Sequence, residues 1–234
     1  MEAISAGTDT RFFRLFAWTI LAFVIVAFGA KALFDTKDLP PITLMHHFHA
    51  VTMGSWFVLC AVQASLIARG KGSLHRTLGR LSPLLVIAFV SFAAVISKLN
   101  WGRVGEPLIV TANSINVLMF LGFYLTAILS HRHTATHRRL MMFASLALIG
   151  PAAGRIPETL DANIFLALPI SLVFIFTPLA YDGLVRKRIH RATGVGTLLL
   201  VLTTPAIVLL SESPEWIALL ESMLGPQGPQ GSGG

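Results

Sequence analysis

The stretch "LMHHFHAVTMGSWFVLCAVQASLIARGKGSLHRTLGRL" (residues 44–81) contains the pattern that decides the fold. An apolar run that begins with a histidine cluster ends in a short basic connection, and a His-Arg pair then opens a second apolar run. A helix needs roughly 20 apolar residues to cross the hydrocarbon core of a bilayer, and both runs reach that length. The stretch therefore predicts a transmembrane helical hairpin.

The composition of the whole chain supports a membrane protein. Of its 234 residues 54% are hydrophobic and 12% are charged, and the mean hydropathy is +0.73. A soluble domain needs more polar surface than this. The single cysteine, Cys60, excludes disulfide frameworks and multi-cysteine metal sites within the chain. We attribute the formal net charge of +7 to orientation in the membrane rather than to a nucleic-acid partner.

The chain predicts an all-α integral membrane bundle of seven helices. We place the spans at residues 12–34, 43–68, 76–98, 107–130, 139–156, 162–184 and 192–211. The fifth span gives the weakest signal, because Gly150, Pro151, Gly154 and Arg155 fall near its end. One polytopic domain is expected over residues 1–224.

The basic residues predict the orientation. The connections at 69–80, 131–139 and 185–191, together with Arg11 and Arg14, carry 13 of the 18 lysines and arginines. By the positive-inside rule the N-terminus is cytoplasmic and the C-terminus is outside, which suits the inner (cytoplasmic) membrane of a bacterium.

The C-terminal segment "SESPEWIALLESML" (residues 211–224) predicts a short interfacial helix. Ser213 can cap it, Pro214 suits its first position, and its apolar residues share one face. The Gly/Pro/Gln tail at 225–234 is expected to be disordered.

A His-Arg pair recurs where three connections lead into the next span. The copies are "GSLHRTLGRL" (72–81), "TATHRRLMMF" (134–143) and "RKRIHRATGV" (186–195), and two of them continue as His-Arg-x-x-Gly. The spacing matches one helical hairpin plus its return, which predicts three related hairpins after a first span.

The motifs "LHRTLGR", after a helix that ends in "LIARG", and "HRRLMM" resemble those of an uncharacterised family of bacterial multi-pass membrane proteins. The resemblance covers roughly residues 42–156, and it implies a helical bundle without implying an activity. Histidines at the ends of several spans are also distantly similar to those of di-haem b-type cytochromes and of seven-span membrane zinc hydrolases. The chain meets the ligand spacing of either group only in part.

The predicted topology divides the eight histidines between the two sides. His75, His137 and His190 open three different spans at equivalent depth on the inner side, an arrangement that a haem b or a transition metal needs. The arginines that follow them suit haem propionates or lipid phosphates. Contact of each His-Arg pair with lipid headgroups is the alternative interpretation.

On the outer side, His46 and His49 are three residues apart and can chelate one metal from a helix face. The same face continues through Met53, Trp56, Cys60 and Gln63 and is expected to line the bundle interior, so a packing seam is the alternative interpretation.

An outer pocket for an anionic or quinone-like molecule is a further hypothesis. It would use Trp56, Asn113, Asn116 and Arg155, provided that Arg155 points into the bundle. Arg155 could instead pair with Glu158 or Asp161 at the surface.

Together these patterns predict a histidine-rich inner-membrane protein that binds haem or a metal and takes part in membrane electron transfer. One alternative is a zinc-dependent hydrolase acting on lipid, and another is a non-catalytic subunit of a larger membrane complex. The expected partners are the bilayer, a quinone or lipid ligand, and a membrane-complex partner or a second copy of the chain. The sequence has no Gly-rich phosphate loop, Gly-x-Ser-x-Gly elbow or Cys-x-x-Cys-His haem attachment motif.

Overall fold

The computed structural model describes residues 2–34 and 43–227, without the side chains of residues 2–6 and 104. Within these ranges the chain is helical. The α-helices are α1 (Glu2–Phe34), α2 (Leu44–Ala68), α3 (Gly72–Val104), α4 (Pro107–Leu129), α5 (Thr134–Ala147), α6 (Gly150–Thr159), α7 (Ala167–Leu184), α8 (Arg191–Ser211) and α9 (Pro214–Leu224). A short 3-10 turn, Ile164–Leu166, precedes α7.

Seven helical segments are long and apolar enough to cross a membrane, which confirms the predicted bundle of seven spans. They are Gly7–Phe34, Leu44–Ala68, Gly72–Arg103, Pro107–Leu129, Thr134–Thr159, Ile164–Leu184 and Arg191–Ser211. Several begin earlier than predicted, because the helices continue through the basic residues at their ends. Long cationic side chains permit this, since their stems cover apolar surface while their charged ends reach water. The chain is a multi-pass membrane protein.

The fifth span is made of two helices, α5 and α6, which are separated at Leu148 and Ile149. Pro151 has no backbone N–H to donate to the carbonyl of Ala147, so the helical ladder lacks one hydrogen bond at this break. This span is nevertheless the central one. In its most apolar window 67% of the residues are buried, against 11–33% in the other six spans. Its weak hydropathy signal belongs to a helix surrounded by protein rather than by lipid.

The helices pack in the order that the predicted hairpins require. Helix α2 lies against α3, α4 against α5, and α7 against α8, while α5 also contacts α1, α2 and α8. The main core surrounds Trp56, Phe120 and Phe143, all fully buried. At Gly196 of α8 a Cβ atom would lie 2.6 Å from the ring of Phe143, so only glycine permits this approach of α8 to α5.

The predicted C-terminal helix is present as α9. The Ser213 hydroxyl accepts a hydrogen bond from the Trp216 amide at 3.3 Å, as a cap does. Its Leu220 is buried against Trp101 and Val110, so one side of α9 packs on α3 and α4 rather than on lipid. Leu219 and Met223 remain exposed.

The start of the predicted disordered tail is packed against the C-terminal end of α3. The Trp101 indole donates to the carbonyl of Gly225 at 2.9 Å, and the Gln227 amide donates to the carbonyl of Gly105 at 2.5 Å. The rest of that prediction, over residues 228–234, falls outside the described residues.

Candidate functional site

Two of the predicted inner histidines are neighbours. We call the end of the bundle where α1 begins the inner end; α3, α5 and α8 also begin there. His75 lies in the first turn of α3 and His137 in the first turn of α5, and their ring centroids are 6.4 Å apart with the ring planes 89° apart. Short connections before both helices, residues 69–71 and 130–133, put these first turns at the same depth. We call His75 and His137 the histidine pair.

The hydrogen bonds of His137 fix its tautomer. Its Nδ1 lies 2.8 Å from the carbonyl oxygen of Ala127. A carbonyl can only accept, so Nδ1 carries the proton and donates it, and the lone pair of the neutral ring is on Nε2. A histidine that donates one N–H to a backbone carbonyl while its other nitrogen is free is oriented as metal-ligating histidines are.

His75 is accompanied by polar atoms that have no partner. Its Nδ1 is enclosed by protein without a hydrogen bond, and so is Oε1 of Gln63 on α2. The Gln63 amide nitrogen donates to the backbone carbonyl of His75 at 3.2 Å, which holds this amide beside the start of α3. A Cβ on Gly79 would lie 3.3 Å from that nitrogen, so the glycine of the His-Arg-x-x-Gly motif leaves room for Gln63.

His190, the third predicted inner ligand, is used as a helix cap. Its Nδ1 accepts a hydrogen bond from the Ala192 amide at 3.1 Å, so the proton of the neutral ring is on Nε2. Burial and the neighbouring Arg139 lower the pKa of His190, although Asp182 opposes the shift. Among the described residues, no three histidine, cysteine or acidic side chains are grouped as a metal site requires. The structure therefore brings together two of the three predicted ligands.

A buried ion pair joins α5 and α7 near the inner end of the bundle. Arg139 of α5 and Asp182 of α7 are each 1% exposed, and Arg139 Nη2 lies 2.5 Å from Asp182 Oδ1. The other carboxylate oxygen accepts hydrogen bonds from the Thr193 hydroxyl at 2.6 Å, from Arg139 Nε at 3.2 Å and from the His190 backbone N–H at 3.1 Å. This network ties α5 to α7 and to the start of α8.

A second cluster surrounds Asp9 of α1, which is 2% exposed. Its carboxylate accepts hydrogen bonds from Arg138, from Arg186 and from the Tyr181 hydroxyl. Sequence reasoning assigned Arg138 and Arg139 to the positive inner side and overlooked Asp9. The available signal was an acidic residue just inside an apolar span, which is costly unless it is paired.

The outer histidines have different surroundings. Nδ1 of His46 accepts from the Thr43 backbone N–H at 3.2 Å and lies 2.8 Å from the Thr43 hydroxyl, which caps α2. Its proton is therefore on Nε2, and ligation of a metal would require loss of the cap. Nδ1 of His49 is enclosed without a partner, and its ring lies 6.0 Å from that of Phe89.

The four residues of the predicted outer pocket lie in different surroundings. Trp56 is a fully buried core residue whose indole donates to Ser145 at 3.2 Å. Arg155 pairs with Glu158 at 2.6 Å, as the surface alternative predicted, and its guanidinium lies over the Phe28 ring. Asn113 and Asn116 are half-buried on α4. The Asn116 amide nitrogen would lie 3.7 Å from a Cβ on Gly150, which places it beside the break in the fifth span.

No protein-family model, curated protein or solved structure matches the chain. The resemblance to a bacterial multi-pass family stays a prediction.

Proposed function

We propose that this protein binds a redox-active first-row transition-metal ion through His75 and His137 and acts as a one-electron carrier in the inner membrane of a bacterium. The observation that carries the proposal is the 6.4 Å separation of the two ring centroids. Metal–nitrogen bonds of about 2.0–2.1 Å put the centres of two imidazoles on one ion roughly 5 to 6.5 Å apart, depending on the angle. The observed separation lies at the upper end of this range, which corresponds to a nearly linear arrangement of the two nitrogens about the ion.

The chemistry of the surrounding atoms also suits a cation. His137 has its lone pair on the nitrogen that does not face Ala127, and His75 has an enclosed ring nitrogen without a partner. The unpaired Oε1 of Gln63, on an adjacent helix, is a third atom that could ligate the ion through a lone pair. Arg138, next to His137, forms an ion pair with Asp9, which it shares with Arg186. Imidazole nitrogens favour copper, iron, nickel and zinc over magnesium or calcium, and copper and iron supply a one-electron couple.

A bare ion fits this site better than haem does. His75 Nδ1 and Gln63 Oε1 are enclosed by protein, and a porphyrin between the rings would have to displace the side chains that enclose them. Arg138, one of the arginines that would suit a haem propionate, is bound to Asp9.

The test is metal analysis and spectroscopy of detergent-purified protein from cells grown with ample copper, iron and zinc. We expect about one copper or iron per chain, a spectrum that changes on reduction, and imidazole nitrogen couplings in the electron paramagnetic resonance of a copper-loaded sample. His75→Ala and His137→Ala should each weaken metal binding by more than about 100-fold. The matched control is His131→Ala, at an exposed histidine of the loop before α5.

Three outcomes would contradict the proposal. Protein without metal, or with zinc alone, would exclude an electron carrier. A Soret band would identify haem instead of an ion. Equal loss of metal in His131→Ala and in the pair variants would show that the metal is held elsewhere.

A further inference from the structure

A groove opens between α1 and α2 at the inner end, away from the histidine pair. It has a volume of about 410 Å³ and is lined by Gly7, Thr10, Arg11, Arg14, Ile67 and Ala68. The first four residues belong to α1 and the last two to the final turn of α2. From its charge, depth and apolar continuation, we infer that this groove binds an anionic phospholipid, with the lipid phosphate between Arg11 and Arg14.

No side chain in the described part of the chain compensates the charge of the groove. Arg11 and Arg14 form no ion pair with any side chain that the structure describes, whereas Arg138, Arg139 and Arg186 are all paired with Asp9 or Asp182. Helix α2 contains no acidic residue. Two arginines on adjacent turns of one helix face can donate to one phosphate together.

The groove continues into an apolar surface toward the membrane interior. Leu15, Trp18 and Ile67 are each about half exposed there. The Trp18 indole donates to the Ser65 hydroxyl at 2.9 Å, which links α1 to α2 one turn below the arginines. Cations above an apolar wall match a phospholipid, in which a phosphate sits above acyl chains. A free phosphate would use the arginines and leave the apolar wall uncovered.

The depth of the site matches the headgroup layer. Arg11 and Arg14 flank the last turn of α2, where that helix leaves the apolar part of its span. Anionic lipids of the cytoplasmic leaflet attract basic residues at this level, and each Lys or Arg near the surface strengthens the attraction about fivefold. A fixed inter-helix groove adds selectivity that a lone surface arginine does not have.

Native mass spectrometry of the detergent-purified full chain, titrated with phosphatidylglycerol or phosphatidylcholine, tests the inference. We expect the wild type to retain phosphatidylglycerol preferentially. Arg11→Gln combined with Arg14→Gln should weaken this binding by about ten- to thirtyfold. The matched control is Arg132→Gln with Arg188→Gln, which removes the same charge from exposed positions in two other inner connections. Equal weakening in both double variants would contradict a specific site in the groove, because non-specific electrostatic attraction of the lipid to basic residues would then explain the binding.

A second variant separates lipid from free phosphate without touching the arginines. Ile67→Trp fills the apolar part of the groove at an exposed position, so the fold does not depend on it. We expect this change to weaken phosphatidylglycerol binding. Inorganic phosphate at millimolar concentration should leave the bound lipid in place. Displacement of the lipid by phosphate, equal binding of phosphatidylcholine, or unaltered lipid binding in Ile67→Trp would each overturn the inference.

Discussion

The two halves of the fifth span, α5 and α6, each carry an arginine paired with an acidic residue, but the two pairs differ in burial and in the helices that they connect. In α5, Arg139 is buried with Asp182, each 1% exposed. In α6, Arg155 and Glu158 are 39% and 37% exposed. The partner of Arg139 comes from another helix, whereas Glu158 lies one turn from Arg155. The inner pair belongs to a network that joins three helices, whereas the two members of the outer pair lie on one helix, with Lys31 of α1 3.7 Å from Glu158.

The remaining packing follows the same division. Eight residues of α5 are buried, against three of α6. Since lipid tails are as apolar as the helices, membrane helices associate through close packing and polar contacts rather than through the hydrophobic effect. The inner half of the bundle has both, through Phe143 against Gly196 and through the Asp182 network. We therefore expect substitutions in the inner half to cost the most stability.

The largest expected effect is that of Asp182→Asn. It removes the charge that compensates Arg139 in a buried site, which typically costs about 3–5 kcal/mol of unfolding free energy. Denaturant titration in mixed micelles would measure this loss. Replacing both partners, as Arg139→Met with Asp182→Leu, should cost less than Asp182→Asn alone, because no unpaired charge remains. A loss in Asp182→Asn no larger than that in Glu158→Gln would break the comparison.

The second prediction concerns the contact between α5 and α8. Gly196→Ala puts a methyl group against the Phe143 ring, where the nearest atom would be 2.6 Å away. Overpacking of this kind costs about 1–3 kcal/mol. Gly194→Ala is the matched control in the same helix, since its nearest neighbour would be an Ile189 methyl at an ordinary 3.7 Å. Equal stability of the two variants in the same titration would show that α8 moves away from α5 without cost.

The sequence predicted the seven spans because each lies in an apolar run of about the length that crosses a bilayer, although the fifth run has the lowest hydropathy. It could not predict that the weakest run is the central one, since burial among helices is a property of the assembled bundle. The Arg139–Asp182 pair joins residues 43 positions apart, and no local pattern marks such a partner. The sequence predicted that His75, His137 and His190 lie at equivalent depth. It could not predict that His190 Nδ1 accepts a hydrogen bond from the Ala192 amide and caps α8.

A third, smaller effect is expected in the outer half. Arg155→Gln removes an ion pair that is more than one third exposed, and such pairs contribute about 0–1 kcal/mol. The same titration at low and high salt should show a small loss that disappears with salt, because exposed charges are screened. A loss comparable to that of Asp182→Asn would mean that α6 depends on its ion pair as strongly as α5 does.

The smallest effect is a pH dependence at the His190 cap of the inner end. The pKa of His190 is lowered from its ordinary value of 6.5, chiefly by burial and then by Arg139, while Asp182 acts in the opposite direction and Arg138 and Arg186 reinforce the lowering. The folded state therefore binds the proton less readily than the unfolded chain does. The contribution of neutral His190 to stability should be fully present above pH 6.5. It should decline as the pH falls from 6.5 toward the lowered pKa of the folded state.

Protonation of His190 would remove the acceptor for the Ala192 N–H and loosen the first turn of α8, where the His190 backbone also contacts Asp182. Hydrogen exchange should therefore speed up in the first turn of α8 between pH 7 and pH 5, after correction for intrinsic exchange, and not in α6. His190→Asn keeps a capping acceptor that does not titrate, so it should abolish the difference. If exchange in α8 and α6 responded equally to acid, the cap at His190 would not link proton binding to the inner network. The contrast between the two halves of the fifth span would then rest on packing and the buried ion pair alone.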